Sequence, residues 1–369
     1  MFSKGFKIVS PKTFEIYYEN VKLKENYALV KINMGAVCKA DLRYFLGKRD
    51  KRILGLKYPM RLIHEAVGEI IKDPTNTFKE GQKVVLVPNI TECTHSNKQQ
   101  CKYLKEKSIC NSGGHIDECE FRNSIGENYC PKAKFASSNT DGFSCEYMSF
   151  PVRNLVPVDA KIKDEKSVFA ELTSVGISAI RRCKDINCNI DNKVIAIWGD
   201  GIVGYILTCI LKVMARESII ITVGKNKDKL AQFPSDKTYE INEPSLKDLK
   251  VDLAFECVGG MGSKDAINQI IDVIKVGGKI VLTGVAEDNV SINTRKILEK
   301  GLVLTGTTRS SIDDFRKSVT LIEETDYDKY LSKLVNDIRL IENITDYYDV
   351  FEIEAKNKSL GKTLMKFNF

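Results

Sequence analysis

Long apolar runs are missing from this chain. The longest, Ile202 to Leu211 and Ile219 to Val223, have the length of buried elements, well short of the roughly 18 apolar residues a bilayer-crossing helix needs. The first residues, MFSKGFKIVSPKTFEIYYENV, alternate like a strand and lack the apolar core of a secretory leader, so no signal peptide and a cytoplasmic location are expected. Charge of one sign is not concentrated either. The net charge is +7, but basic residues are interleaved with acidic ones. That argues for a solvated surface rather than a nucleic-acid stripe, so neither nucleic acid nor membrane is expected as a partner, while anionic small molecules suit the balance. Repeats and low-complexity linkers are absent. Histidine is scarce, at three in 369 residues, so one in an apolar context stands out as a candidate ligand.

What is present is a globular composition, 43% hydrophobic and 28% charged, in a chain too long for one ordinary core. Residues 1–156 read as a strand-rich domain, with runs such as Tyr27 to Asn33, Gly68 to Ile71 and Lys83 to Pro88 between Gly and Pro turns. Inside it, residues 89–135 form a polar, cysteine-rich lobe without clear periodicity, a kind of segment that is usually functional or metal-stapled. Residues 157–307 alternate between helices (Glu165 to Cys183, Val203 to Ala215) and short apolar strands (Val194 to Trp198, Ser218 to Val223, Val251 to Glu256, Lys279 to Thr283). That pattern predicts an α/β domain with a doubly wound parallel sheet of Rossmann type. Residues 308–369 are richer in helix and end in a strand-like tail, Lys362 to Phe367, expected to return to the first domain.

The Rossmann reading has a specific anchor. Ile195-Ala-Ile-Trp-Gly199-Asp-Gly201-Ile-Val-Gly204-Tyr is a strand entering GxGxxG and then a helix. Gly199 permits the tight turn, Gly201 lets the backbone approach a pyrophosphate, and Gly204 allows close helix–strand packing. The acid that would grip an NAD ribose about 20 residues later is missing. The chain there reads Thr222-Val223-Gly224-Lys225-Asn226-Lys227. Lys225, with Lys227, is suited to a 2′-phosphate, which favours NADP(H); the plain alternative is that both lysines are merely solvated.

Three further points carry candidate metal ligands: Cys38 in Val37-Cys38-Lys39-Ala40-Asp41, His64-Glu65 in Ile63-His64-Glu65-Ala66-Val67-Gly68, and Glu171 in Ala170-Glu171-Leu172-Thr173. His64 and Glu65 stand in an apolar stretch, where burying both is costly without a partner. A zinc ion would satisfy them.

Cys38 with Asp41, His64-Glu65 with Gly68, and Glu171 ahead of a GxGxxG fold resemble the zinc-containing medium-chain alcohol and polyol dehydrogenases. Pro59-Met-Arg-Leu-Ile-His-Glu, Ile197-Trp-Gly-Asp-Gly, Phe255-Glu-Cys-Val-Gly-Gly and Asn293-Thr-Arg-Lys-Ile-Leu-Glu-Lys-Gly narrow this to a likeness with ribitol-5-phosphate dehydrogenases. The resemblance implies a GroES-like catalytic domain beside the Rossmann domain. It implies a zinc surrounded by Cys38, His64, Glu65 and Glu171, Asp41 orienting His64, and Lys39 reaching the cofactor phosphates. The reaction it implies is NADPH-dependent reduction of ribulose 5-phosphate, supplying ribitol phosphate for teichoic acid or capsule, with a cytidylyltransferase as partner and a homodimer or homotetramer as assembly.

Several features fall outside that pattern. Ala40 stands where many relatives carry a Ser or Thr proton relay. With Cys38, Glu65 and Glu171 all anionic, a bound zinc would sit at net −1 with no open position, so one glutamate, Glu171 by preference, is expected to leave when substrate binds. Arg43 and Tyr44, with Arg49 nearby, are candidates for a substrate phosphate, and Arg309 for cofactor or substrate. In the lobe, Cys93, Cys101, Cys110, Cys119 and Cys130 lack tight CxxCxxC spacing. A structural metal on four of them (Cys93, Cys101, Cys110 and Cys130), with His95 or His115 as substitutes, and free thiols remain open alternatives. Competing functions are oxidation of another polyol or secondary alcohol, a non-catalytic cofactor-binding protein, and a redox sensor built on the lobe.

Overall fold

The computed structural model describes residues 1–91 and 124–369. They form two compact units. The first is Met1–Glu171 with Ser310–Glu324 and Leu331–Phe369; the second is Leu172–Arg309 with Thr325–Tyr330.

The first unit is built on a seven-stranded sheet. Its strands run in the order Val335–Ile341, Lys362–Phe367, Tyr27–Ala36, Glu65–Lys72, Lys83–Leu86 and Leu155–Pro157, and Tyr147–Pro151 also pairs with Tyr27–Ala36. The first two strands are parallel and the other pairings antiparallel. Tyr27–Ala36 is mostly buried along its length, which fits its central place. It meets Glu65–Lys72 at Gly68, where a Cβ would stand only 2.3 Å from the Lys31 carbonyl oxygen. That close approach fixes the register of the strand that begins at Glu65.

Both ends of the chain are held in one aromatic core. Phe14 of the strand Thr13–Asn20 stacks on Phe45 at 5.5 Å and meets Phe351 of the helix Ile344–Lys356 edge-on at 4.9 Å. Phe6 stacks on Tyr347 of the same helix at 4.7 Å. Each such burial contributes about 1.5–3 kcal/mol, enough to draw the tail back so that Lys362–Phe367 pairs with Tyr27–Ala36.

The first unit extends to Glu171, past the 156/157 boundary expected from composition. The segment between is held by the helix Ile312–Glu324: Ser318 Oγ donates to the Ala170 carbonyl at 2.8 Å, and Glu323 accepts from the Asp159 N–H at 2.7 Å. The boundary therefore falls inside the helix Ala170–Asp185.

The second unit carries six parallel strands in the order Lys237–Glu240, Ile219–Gly224, Val194–Trp198, Val251–Glu256, Ile274–Leu282, Val303–Gly306. In chain order this is 3-2-1-4-5-6, the doubly wound Rossmann arrangement. Ile195, Ala196 and Ile197 are all fully buried, as strands covered on both faces require. Among the described residues, no helix is long and apolar enough to cross a membrane.

Gly204 brings the helix Ile202–Met214 close against the turn at Gly199. A Cβ there would lie 2.1 Å from the Gly199 carbonyl oxygen, which is backbone and has little freedom to yield. Gly204→Ala is expected to cost about 1–3 kcal/mol of stability through overpacking and to weaken nucleotide binding. Thermal unfolding and nucleotide titration check this; an unchanged midpoint with unchanged binding would contradict it.

Candidate active site and metal centre

The first unit gathers the metal-ligand candidates. Cys38 is the N-cap of the helix Lys39–Phe45, and its N–H donates to Asp41 Oδ2 at 2.9 Å. Asp41 Oδ1 accepts from the Ile63 N–H at 3.2 Å. One buried carboxylate thus ties the Cys38 helix to the segment that carries His64. That segment is fixed from the other side as well: the Ile63 carbonyl accepts from Phe143 N at 2.9 Å and the Arg61 carbonyl from Gly142 N at 3.0 Å. Only glycine fits at 142, because a Cβ would lie 2.4 Å from the carbonyl oxygens of both Leu62 and Ile63.

His64 is buried, and its Nδ1 lies 2.7 Å from Ser137 Oγ and 3.6 Å from Asp41 Oδ1. With Nδ1 occupied there, Nε2 is the nitrogen left for a metal. Asp41 was expected to orient His64; Ser137 makes the closer contact, with Asp41 behind it. Burial disfavours the imidazolium, yet the charges of Asp41 and Cys38 outweigh it and hold the His64 pKa well above its usual value. An imidazole so placed among anions is poised for a cation, and binding a metal there must release its proton.

Among the described residues, Cys38, His64 and Glu65 bring one ligand atom each to within 4.8 Å of one another. A thiolate, an imidazole and a carboxylate at this spacing suit zinc. Glu65, however, is already engaged. Both of its oxygens accept from Lys362 Nζ, at 2.8 and 2.7 Å, in a fully buried pair. Lys362 stays protonated despite burial because Glu65, Cys38 and Glu171 surround it. Glu171 is outside the 4.8 Å group. Its carboxyl is pushed up to about 7 by burial, opposed by His64, raised further by Glu65, lowered by Lys362 and raised by Asp41. A carboxylate in that position is stabilised by additional positive charge, so the set as a whole fits a divalent cation. Lys362 also revises the charge count: Cys38, Glu65 and Glu171 against one ammonium leave two negative charges, which a divalent ion neutralises.

The candidates for a phosphate group lie on and after the same helix. Lys39 is exposed and Arg43 half-buried. Tyr44 is almost fully buried, with its hydroxyl 3.5 Å from Ser138 Oγ. The Arg49 guanidinium lies over the Tyr44 ring at 4.6 Å, and its buried Nε has no hydrogen-bond partner among the described residues.

The second unit holds the dinucleotide fingerprint. Gly199 has φ +133, which only glycine adopts easily, and Gly201 is the N-cap of the helix Ile202–Met214, with no side-chain cap hydrogen bond among the described residues. Among the described residues, nothing stands within 4 Å of where a Cβ on Gly201 would project. At the end of Ile219–Gly224 the chain turns through Gly224 and Lys225, and Lys225 and Lys227 are exposed. Asp200, the variable residue between Gly199 and Gly201 of the fingerprint, holds this turn: its Oδ2 accepts from the N–H groups of Lys225 and Asn226 at 2.7 and 2.6 Å. Arg309 stands in the left-handed region, φ 58, between Thr308 and Ser310.

Of the lobe cysteines, Cys93, Cys101, Cys110 and Cys119 lie outside the described residues, as do His95 and His115. Cys130 is half-buried after the turn Glu127–Tyr129, its N–H donating to the Glu127 carbonyl at 3.0 Å.

A strand-rich unit with a Cys–His–Glu centre and a Rossmann unit, in one chain, define a metal-dependent, nicotinamide-linked dehydrogenase. Residues 24–160 match the alcohol dehydrogenase GroES-like domain and residues 203–324 the zinc-binding dehydrogenase family. The chain belongs to the zinc-containing medium-chain dehydrogenases, which are NAD(P)-dependent enzymes. It is 37% identical to ribulose-5-phosphate reductase 1 of Staphylococcus aureus, covering 99% of both chains. It is 35% identical to ribulose-5-phosphate reductase of Streptococcus pneumoniae, covering 99% of this chain and 97% of that one. The crystal structure of S. aureus TarJ in complex with NADPH superposes with a TM-score of 0.82, at 33% identity and full coverage of both chains.

Removing the Lys362 ammonium tests the centre. Lys362→Met leaves the Glu65 charge buried and alone, a change that typically costs about 3–5 kcal/mol. Denaturant unfolding of the metal-free variant is expected to show a loss of that size. A loss below about 1 kcal/mol would mean that Glu65 finds other compensation, since exposed pairs contribute only that much.

Proposed function

We propose that this enzyme uses NADPH to reduce ribulose 5-phosphate to ribitol 5-phosphate, a building block for teichoic acid or capsule. The chief support is likeness over 99% of the chain to proteins named ribulose-5-phosphate reductase. Cys38 and His64 hold the metal in this reading, with Glu171 beside them and Glu65 retained by Lys362. When bound, zinc supplies Lewis-acid polarisation of the carbonyl oxygen and the nicotinamide supplies the hydride. The chain's own residues do the rest. Asp41 and Ser137 fix the His64 ring. The first N–H groups of the helix Ile202–Met214 receive the pyrophosphate, with Lys39 and Arg309 as further cationic contacts. Arg43, Arg49 and Tyr44 receive the sugar phosphate, and the unpartnered Arg49 Nε favours an anion there. Ala40 carries no hydroxyl, so the proton delivered to the product alkoxide reaches it by another route.

NADPH is preferred over NADH because no acid ends the strand Ile219–Gly224 and Asp200 is committed to backbone N–H groups, while Lys225 faces solvent. A charge-assisted hydrogen bond contributes about 1.5–3 kcal/mol. Lys225→Ala should therefore raise KM for NADPH by about tenfold or more and leave that for NADH nearly unchanged. Equal effects on both cofactors would remove Lys225 from the 2′-phosphate.

Initial rates of NADPH oxidation with ribulose 5-phosphate and with unphosphorylated ribulose, before and after zinc chelation, test the whole reading. Chelator-sensitive turnover confined to the phosphorylated ketose is expected. Turnover with a neutral polyol or ketose instead would keep the dehydrogenase chemistry and discard the phosphate assignment.

A further inference from the structure

The helix Ala170–Asp185 ends in a turn that brings two cysteines together. The Cys183 carbonyl accepts from Cys188 N at 2.9 Å and the Lys184 carbonyl from Asn187 N at 3.0 Å, while Asn187 adopts φ 53. These are the two hydrogen bonds and the left-handed residue of a Schellman cap, in which the side chains of the first and last residues meet. Here those residues are Cys183, fully buried, and Cys188, half-buried; their thiols donate to the carbonyls of Ala179 and Asn189, both at 3.6 Å, and lie near enough for each to shift the ionisation of the other.

The surroundings favour a reactive thiolate at Cys188. It borders a cavity of about 300 Å³ also lined by Lys193, Lys275, Lys279 and Asp252. Lys275 is paired with Asp252 at 2.8 Å. Lys279 Nζ is fixed at the turn by the carbonyls of Ile186 and Asn187, at 2.8 and 2.6 Å. The neighbouring Cys183 thiol holds the Cys188 thiol down to about 7; burial opposes it, Lys279 and Lys193 assist, and Asp252 opposes. The proximity of Cys188, with burial, pushes Cys183 up. Cys188 is therefore more readily ionised at neutral pH than a free cysteine.

We propose that Cys183 and Cys188 form a redox-active dithiol that small hydroperoxides convert to a disulfide. The Cys188 thiolate attacks the peroxide oxygen; the O–O bond breaks, the second oxygen leaves as alkoxide or hydroxide and takes a proton from water, and Cys188 becomes a sulfenic acid. Cys183 then loses its proton and attacks the Cys188 sulfur. The S–S bond forms, the S–O bond breaks, and hydroxide departs with that proton as water. Two thiols lose two electrons and the peroxide gains them. Neither cysteine belongs to the proposed metal or nucleotide sites.

The test uses the full-length reduced protein, a limiting dose of hydrogen peroxide, and mass-spectrometric mapping of all 11 cysteines. A Cys183–Cys188 disulfide is expected ahead of other oxidation products. Its rate should rise up to about pH 7–8 and then flatten, as a thiol with the lowered pKa requires. In Cys183→Ser, Cys188 should instead accumulate as a sulfenic acid trapped by dimedone, with the thermal midpoint confirming an intact fold. Oxidation of Cys188 no faster than that of the other exposed thiols, or its linkage to a cysteine other than Cys183, would overturn the proposal; the wild-type map decides even if the variant misfolds.

Discussion

The buried pair between Lys362 and Glu65 is the constraint on which the catalytic unit depends. It joins the last strand of the chain to the residue after His64, a separation of 297 residues, with both oxygens engaged. An unpaired charge at either position would be costly in so dry a place. The C-terminal strand must therefore be in register with Tyr27–Ala36 before the centre is complete, and the aromatic core of Phe6, Phe14, Tyr347 and Phe351 holds it there. Folding and site assembly are the same event in this unit.

The same pair shapes the chemistry. A thiolate and two carboxylates around one divalent ion would blunt its Lewis acidity. The ammonium of Lys362 offsets one negative charge and keeps Glu65 occupied. In the proposed reading this makes Glu65, rather than Glu171, the carboxylate held off the metal, although Glu65 is the one that lies with Cys38 and His64 in the ligand group. Asp41 meanwhile keeps its charge: burial opposes it, but His64 and the Cys38 N–H hold its carboxyl below the usual carboxylate range, and its oxygens accept from the backbone of Cys38 and Ile63.

Local motifs were legible in the sequence. The parallel sheet and the GxGxxG turn each rest on neighbouring residues whose spacing carries the signal, whereas the grouping of Cys38 with the distant His64 and Glu65 was legible through the family resemblance. Three features were not. Lys362 reads as one lysine in a strand, and nothing near it announces a carboxylate partner. Ser137 is 73 residues from His64, at a left-handed position (φ 60) that no local pattern indicates. Asp200 looks like a free position between glycines, although its carboxylate holds the turn that carries Lys225. A domain boundary inside the helix Ala170–Asp185 was equally invisible, because composition marks a linker and a continuous helix has none. Lys362 could have been suspected from the −1 charge count, which left the site short of one positive charge.

The most direct test is a crystal structure of the zinc-loaded protein without substrate, collected at the zinc absorption edge. The account predicts anomalous density in contact with Cys38 and His64, and Glu65 still paired with Lys362. Glu65 bound to the metal, with Lys362 turned away from it, would contradict the account.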